Sequence, residues 1–327
     1  MPSLPDAPLV IRLSDEERDS GVLTDHHLYD AVDAFFNDGF IVLENAIRDD
    51  LIDSLNERML EDTKKLLAGE GLSHYAPLNG KVAEKGAAAG GNLSQVPPLE
   101  KKWMAPEIFA NKHAARIISY ILGPKPEVHF MRSNTLLQND DRQGVHSDMR
   151  FEHPSHVFAV TQNVCLCDCG PENGMTELWL GTQNTGAEVR PVPGEPFIDP
   201  ALVEERRKVR PPLYPRVRKG SILIRDLRLC GVWAWHAGMP NPTDKPRILL
   251  TFNYYAGWFK NGSKISFPES LRPHIAALEE YADIKIDGAY EPDEGYNYLN
   301  SKFSNNFTSV LHPETWEKVA HVKTVKI

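Results

Sequence analysis

Gln143, His146, Asp148, His236 and Arg247 are the residues of this chain whose types and spacing can do chemistry. On an extended strand successive side chains point to opposite faces, so His146 and Asp148 share a face and Ser147 points away. An imidazole and a carboxylate placed this way can occupy adjacent positions on a metal ion. His236, supplied by a distant strand, completes a face of three. Two histidines and one carboxylate with the opposite positions open is the ligand set of non-haem Fe(II) oxygenases. A His-x-Asp triplet alone matches many sequences by chance, so the stretch after His236 matters. Residues 246–255, from Pro246 and Arg247 to Tyr254 and Tyr255, are apolar, aromatic and β-branched, as a buried strand should be. Arg247 opens that strand. A guanidinium there requires an anion, because an unpaired buried charge is very costly, and it matches a carboxylate bidentately. Either a dicarboxylate cosubstrate or a structural Asp or Glu meets that need.

Gln143, His146 and Asp148 are followed by Asn173, Gly174, Met175, Thr176 and Glu177, then Gly181 and Thr182. Next come Gly220 to Asp226, then His236, Ala237, Gly238, Met239, Pro240 and Asn241, and finally Pro246 and Arg247. In order and spacing, over roughly residues 30 to 260, the chain resembles the phytanoyl-CoA dioxygenase family of Fe(II)/2-oxoglutarate-dependent oxygenases. The resemblance implies that His146, Asp148 and His236 bind iron. It implies that Arg247 pairs with the distal carboxylate of 2-oxoglutarate, with Gln143 and Thr176 as further contacts. O2 is the other cosubstrate, ascorbate the reductant, and succinate and CO2 the coproducts. Related halogenases carry a small residue where Asp148 stands, so its presence argues against halogenation. One departure is visible: Cys230 to Ala234 form a short insertion immediately before Trp235 and His236. It could reshape the pocket or bulge out of the strand.

With 41% hydrophobic and 25% charged residues, the 327-residue chain has the composition of a globular protein with ample core material. A formal net charge of −9 and the lack of a basic patch speak against nucleic acid as a partner. No apolar run approaches the roughly 18–20 residues that span a membrane, and Met1 to Ala7 lack the pattern of a secretory signal. The expected location is the cytoplasm, where Cys165, Cys167, Cys169 and Cys230 stay reduced. The first three alternate along an apolar stretch; a thiolate metal site is the sharper reading, a core strand the simpler and preferred one. Nothing in the sequence sets the oligomeric state.

The elements that must position these residues are legible in outline. Residues 1–25, rich in Pro and charge, read as a leader that is either ordered on contact or loose. A helix from His27 to Asn37, capped by Asp25, ends at Asp38 and Gly39. A buried strand over Phe40–Leu43 and an amphipathic helix over Asp49–Leu67 follow. Residues 70–105 form a long loop rich in Gly, Ala, Asn and Pro, read either as a lid or pocket wall from which Asn92 could reach the cosubstrate or as a plain flexible loop. A third helix runs from Ile108 to Leu122. From Glu127 onward the pattern turns to strands: Val128–Gln138, the motif strand, Val157–Asp168, Thr176–Leu180, Tyr214–Val217, Ser221–Arg225 and Arg247–Trp258. Helices over Pro200–Lys208 and Pro273–Tyr281 interrupt them. Short strands joined by turn chemistry predict a sandwich or jelly roll rather than a βαβ sheet. The expected architecture is mainly β with flanking helices: a double-stranded β-helix (jelly-roll, cupin-like) core over about 127–260. A helical N-terminal part and an aromatic tail (Tyr290, Tyr296, Tyr298, Phe303, Phe307, Trp316) complete one domain spanning 1–327.

Arg132, Arg150, Arg228, Trp235, Tyr254 and Trp258 are candidates for lining a substrate pocket, each weighed against plain packing or ion pairing. His129, His153 and His156 are weighed as alternative ligands and read as hydrogen-bonded histidines. The expected substrate is a small molecule, natural-product or amino-acid-like, hydroxylated or desaturated. The chain lacks a Lys/Arg cluster suited to coenzyme A. Two other classes stay open: a cupin-type metal dioxygenase or isomerase without 2-oxoglutarate, and a silent jelly-roll binding protein. The first leaves Arg247 without its carboxylate. The second must bury His146, Asp148, His236 and Arg247 without a ligand.

Overall fold

The computed structural model describes residues 8–72, 74–75, 91–146, 157–182, 197–227 and 235–302. In chain order the strands are β1 (Leu9–Arg12), β2 (Phe40–Glu44), β3 (His74–Tyr75), β4 (Asn92–Gln95), β5 (Glu127–Leu136), β6 (Ala159–Cys165), β7 (Glu177–Leu178), β8 (Ile222–Asp226), β9 (His236–Ala237), β10 (Arg247–Tyr255), β11 (Ile265–Pro268), β12 (Lys285–Ile286) and β13 (Gly288–Glu291). The helices are α1 (Asp15–Ser20), α2 (Asp25–Asp38), α3 (Asp49–Leu67), α4 (Pro106–Phe109), α5 (Lys112–Leu122), α6 (Pro200–Val209) and α7 (Arg272–Ala282). The expected class holds: a jelly-roll β core with helices packed outside it.

The larger sheet runs β1-β2-β8-β6-β10-β5-β4-β3, with β12 added beside β5. Strand β10 is its centre, antiparallel to both β5 and β6. Its period-2 alternation sorts its side chains. Ile248, Leu250, Phe252 and Tyr254 face the helices, where Phe252 meets Phe109 of α4 edge-on at 5.8 Å between ring centroids. Arg247, Leu249 and Thr251 face the interior of the roll and line its cavity. The smaller sheet is frayed. It holds the β7–β9 pair, extended by bridges of His146 to His236 and Phe197, and of Leu178 to Leu213. Between the sheets lies an apolar cluster that includes Phe40, Val42, Met175, Leu178, Leu223 and Leu249.

The helical layer follows from local rules. In α2, Thr24 is the N-cap and its hydroxyl accepts from His27 N, while Leu28, Ala31 and Phe35 are buried. The sequence had pointed to Asp25 as the cap; Asp25 instead sits in the first turn, where its charge meets the helix dipole. Helix α3 spans the expected residues. The third helix is two: Asn111 breaks it, capping α5 by accepting from Ala114 N. The leader is also ordered from Pro8. Strand β1 runs parallel to β2, and Ser14 and Glu17 close a capping box on α1. Tyr214–Val217 contributes a single bridge, Val217 to Cys169, rather than a strand. Tyr298 buries its ring and donates to Asp62 Oδ2 at 2.8 Å, pinning the C-terminal segment to α3. Phe303, Phe307, Trp316 and Cys230 lie outside the described residues.

Candidate metal and cosubstrate site

Two strand segments bring the histidines together. His146 N donates to His236 O at 3.0 Å and His236 N to His146 O at 3.1 Å, so the residues are directly opposed. Their ring centroids stand 4.4 Å apart, and both line the cavity between the sheets. His146 Nδ1 lies 2.9 Å from Gly144 O, so the Nδ1–H donates to that carbonyl and Nε2 becomes the lone-pair nitrogen. The segment before them is clamped as well. Gln143 N donates to Gly238 O at 2.9 Å, and Gln143 Oε1 accepts from Gly238 N at the same distance. A Cβ on Gly238 would stand 2.5 Å from Gln143 Oε1, so a larger residue there would push the Gln143 side chain off this contact. Among the described residues no third His, Cys, Asp or Glu joins the pair. Asp148 falls outside them, as do Arg150, His153, His156, Arg228 and the Cys230–Ala234 insertion.

Arg247 is 2% exposed and lines the same cavity. Its Nη2 donates to Gly174 O at 3.0 Å and its Nη1 to Asn134 Oδ1 at 3.4 Å, while Nε is buried without a partner. Burial pulls its pKa down from the ordinary value, partly offset by the neighbouring thiols of Cys169, Cys167 and Cys165. Those cysteines are free; the chain turns after Cys165, so they do not continue one strand face. The Gly174 carbonyl reaches Arg247 because Gly174 has φ +80°. A Cβ there would collide with Leu136 Cδ2 and stand 2.9 Å from Met239 O. A positive charge thus lies almost wholly buried on the cavity wall, held by two neutral oxygens.

The cavity encloses about 270 Å³. Gln143, Thr176, Asn92 and Trp235, all proposed from the sequence, line it. Asn92 sits on β4 opposite Leu136 and is 8% exposed; its Oδ1 is buried without a partner. Three other candidates are elsewhere. Tyr254, an odd number of residues from Arg247, points to the helix side and is fully buried there. Trp258 lies beyond the end of β10, is 50% exposed and meets Phe259 edge-on. Arg132 leans along β4, donating to Ser94 Oγ at 3.0 Å, Ser94 O at 3.3 Å and Lys302 O at 3.4 Å, and lines a separate cavity. Burial pushes its guanidinium down to about 10. His129, weighed as a ligand, sits between Glu127 and Asp287 away from the two histidines.

Sequence reasoning missed Arg225, Asn163, Asn134 and Thr251, which also line the cavity. Asn163 Nδ2 donates to Thr251 Oγ1 at 2.8 Å across the β6–β10 pair. Strand alternation gave part of the signal, since Thr251 stands an even number of positions from Arg247; Asn134 and Asn163 lie in strands with several consecutive polar residues, where the pattern does not single them out.

The family model described as Phytanoyl-CoA dioxygenase (PhyH) matches residues 35–249, well over half of the chain. Among solved structures, EctD from S. alaskensis in its apoform is 16% identical, covering 89% of this chain and 94% of that one at a TM-score of 0.50. EctD with 2-oxoglutarate and 5-hydroxyectoine is 19% identical, with coverages of 76% and 81% and a TM-score of 0.50. The epimerase SnoN in complex with Fe3+, alpha ketoglutarate and nogalamycin RO is 16% identical, covering 71% and 84%, again at 0.50. At such identities these likenesses show a shared fold; the family match rests on the sequence itself. The chain therefore belongs to the phytanoyl-CoA dioxygenase family of Fe(II)/2-oxoglutarate-dependent oxygenases.

Proposed function

We propose that His146, Asp148 and His236 hold Fe(II) and that Arg247 holds the distal carboxylate of 2-oxoglutarate, to oxidise a small-molecule substrate in the adjoining cavity. The observation that carries this reading is Arg247. A buried guanidinium with a partnerless Nε, opening into the same cavity as two opposed histidines, is a receptor for an anion that completes it. The alternatives fare worse on the same ground. A cupin-type enzyme without 2-oxoglutarate, or a silent binding protein, leaves that charge without its counterion.

The residues present suit the group. The Nδ1–H bond of His146 to Gly144 O fixes the tautomer that offers Nε2 to a metal and raises its basicity. Gln143 and Thr176 stand beside the cavity as polar contacts for the cosubstrate, and Asn92 Oδ1 is an acceptor awaiting a donor. When bound, iron with 2-oxoglutarate and O2 supplies the oxidising chemistry, with succinate and CO2 as coproducts. The chain's own task is to orient the substrate and exclude water. Trp179 and Trp235, packed 5.9 Å apart and nearly fully buried, wall one side of the cavity. The floor made by Asn163, Thr251 and Asn134 offers hydrogen bonds to a polar substrate.

A cavity of about 270 Å³ suits a compact ligand, since small-molecule sites run from about 300 to 1,000 Å³. The substrate class we infer is a natural product or amino-acid-like molecule, hydroxylated or desaturated by a single domain acting in the cytoplasm. EctD is solved with 5-hydroxyectoine and SnoN with nogalamycin RO, both small molecules. Purified protein with Fe(II), ascorbate and 2-oxoglutarate should form succinate, and His146→Ala and Arg247→Ala should abolish it. Succinate formation undiminished in both variants would refute the assignment.

A further inference from the structure

The carboxylate of Glu177 is fully buried, yet Glu177 does not line the cavity. Of its partners, Trp179 is two residues further along the same chain, while Arg142 and Tyr214 come from other segments of the small sheet. Arg142 reaches it with two nitrogens, Nη2 to Oε1 at 2.7 Å and Nε to Oε2 at 3.3 Å. Trp179 Nε1 donates to Oε1 at 2.7 Å and the Tyr214 hydroxyl to Oε2 at 3.0 Å. A fork-to-fork Arg–carboxylate pair with two further donors is a strong, geometrically specific arrangement. Its place in the sheet gives it meaning. β9 lies between β7 and the segment that carries His146. Glu177 on β7 is directly opposite Ala237, and Arg142 belongs to the segment on the other side of β9. The ion pair thus crosses behind the strand that bears His236. Strand alternation puts Ala237 on the face opposite His236, and alanine leaves room for the crossing.

We infer that Glu177 is a positioning residue for the iron centre: with Arg142 it straps the His146 segment to β7 across the back of β9. The strap also holds Gln143, because Arg142 Nη1 donates to Gln143 O at 3.1 Å and Gln143 clamps Gly238. The two-residue strands β7 and β9 have few ladder hydrogen bonds of their own, so side chains must set their register. Removing the carboxylate leaves Arg142, Trp179 and Tyr214 without their common acceptor and loosens the spacing of the two histidines. This inference rests on the reading of His146 and His236 as metal ligands.

Two measurements test it on Glu177→Gln and, because a buried charge change can impair folding, on the half-exposed partner in Arg142→Gln. In the metal-free protein, amide hydrogen exchange at residues 143–146 and 236–238 should quicken in both variants while α5 and β10 stay protected. In anaerobic titration, the Kd for Fe(II) should rise, by less than the roughly 10- to 100-fold that follows removal of a group bonded directly to a metal ligand, because Glu177 acts on the two histidines through Arg142 and the backbone. Ile117→Val, a mild core change in α5, is the control. It should lower Tm without altering either readout. Iron affinity in Glu177→Gln and Arg142→Gln equal to that of the parent, or exchange unchanged in the two segments, would overturn the strap. If the parent itself fails to bind Fe(II) while exchange quickens in the variants, the ligand reading fails and the strap survives as a purely structural device.

Discussion

Arg247→Met separates the cosubstrate receptor from everything else in the site. Methionine fills much of the arginine's volume and brings no charge, so the substitution removes an interaction without leaving a large void. Arg247 is 2% exposed, donates to two neutral oxygens and keeps one buried nitrogen without a protein partner. Burial already works against its charged form. The substitution relieves the burial of that charge but leaves Gly174 O and Asn134 Oδ1 without their donor, so the two effects oppose each other and Tm should change little. The bound state is different. Truncating one partner of a buried, hydrogen-bonded charge pair costs about 2–5 kcal/mol. At about 1.4 kcal/mol per tenfold, the Kd for 2-oxoglutarate should rise by roughly one and a half to three and a half orders of magnitude. Ligand linkage gives an independent reading. Cosubstrate at 100 times its Kd should stabilise the parent by about 2.7 kcal/mol, visible as a rise in Tm, and should leave Arg247→Met unmoved. Fe(II) affinity without cosubstrate should not change, since Arg247 is not proposed as a ligand. A variant that loses stability on its own, yet binds 2-oxoglutarate like the parent, would refute the reasoning and make Arg247 a structural residue.

Two further predictions concern the scaffold. Gly174→Ala should weaken 2-oxoglutarate binding and lower Tm, because a Cβ at φ +80° collides with Leu136 and displaces the carbonyl that seats Arg247; the strain alone is about 1–2 kcal/mol. Glu17→Gln should show a pH-dependent loss of stability. Burial of Glu17 raises its pKa, but donors from Ser14 N, Thr24 N and His27 outweigh that and hold it at about 2, against an ordinary 4.5. A folded-state pKa below the unfolded one means the stabilisation is present above pH 4.5 and is lost as pH falls through 2. The parent should therefore exceed the variant by roughly 3 kcal/mol at pH 7, with the gap closing below pH 4.5. Urea unfolding across that range checks it; a gap independent of pH contradicts it.

What the sequence revealed, and what it hid, follows the range of the signals. Helix α3 keeps the bounds its amphipathic pattern predicts, and α2 ends at Asp38 and Gly39 as expected, with Gly39 in a left-handed turn. Those signals are local. The pairing of His146 with His236 was legible because strand period fixes which face a residue takes, once the jelly-roll arrangement was in view. The same rule, applied to Tyr254, would have removed it from the pocket, since it stands an odd number of positions from Arg247. Asn111 inside a helical pattern and Ser14 three residues before Glu17 were cap signals passed over, so the third helix was drawn whole and the leader given no element of its own. Arg132 could not have been placed by such rules. Its direction is set by Ser94 on a neighbouring strand and by Lys302, 170 residues away. Glu177 belongs to the same class: its partners Arg142 and Tyr214 are 35 and 37 positions distant. A buried carboxylate in an apolar strand signals only that partners exist.

The central claim is that two histidines and Asp148 hold iron beside a carboxylate receptor at Arg247. Anaerobic titration with Fe(II) and 2-oxoglutarate, followed by visible absorption, tests it most directly. The account predicts a saturable metal-to-ligand charge-transfer band, absent in His236→Ala and in Asp148→Ala and weakened in Arg247→Met. Iron binding with no such band at saturating 2-oxoglutarate would contradict it.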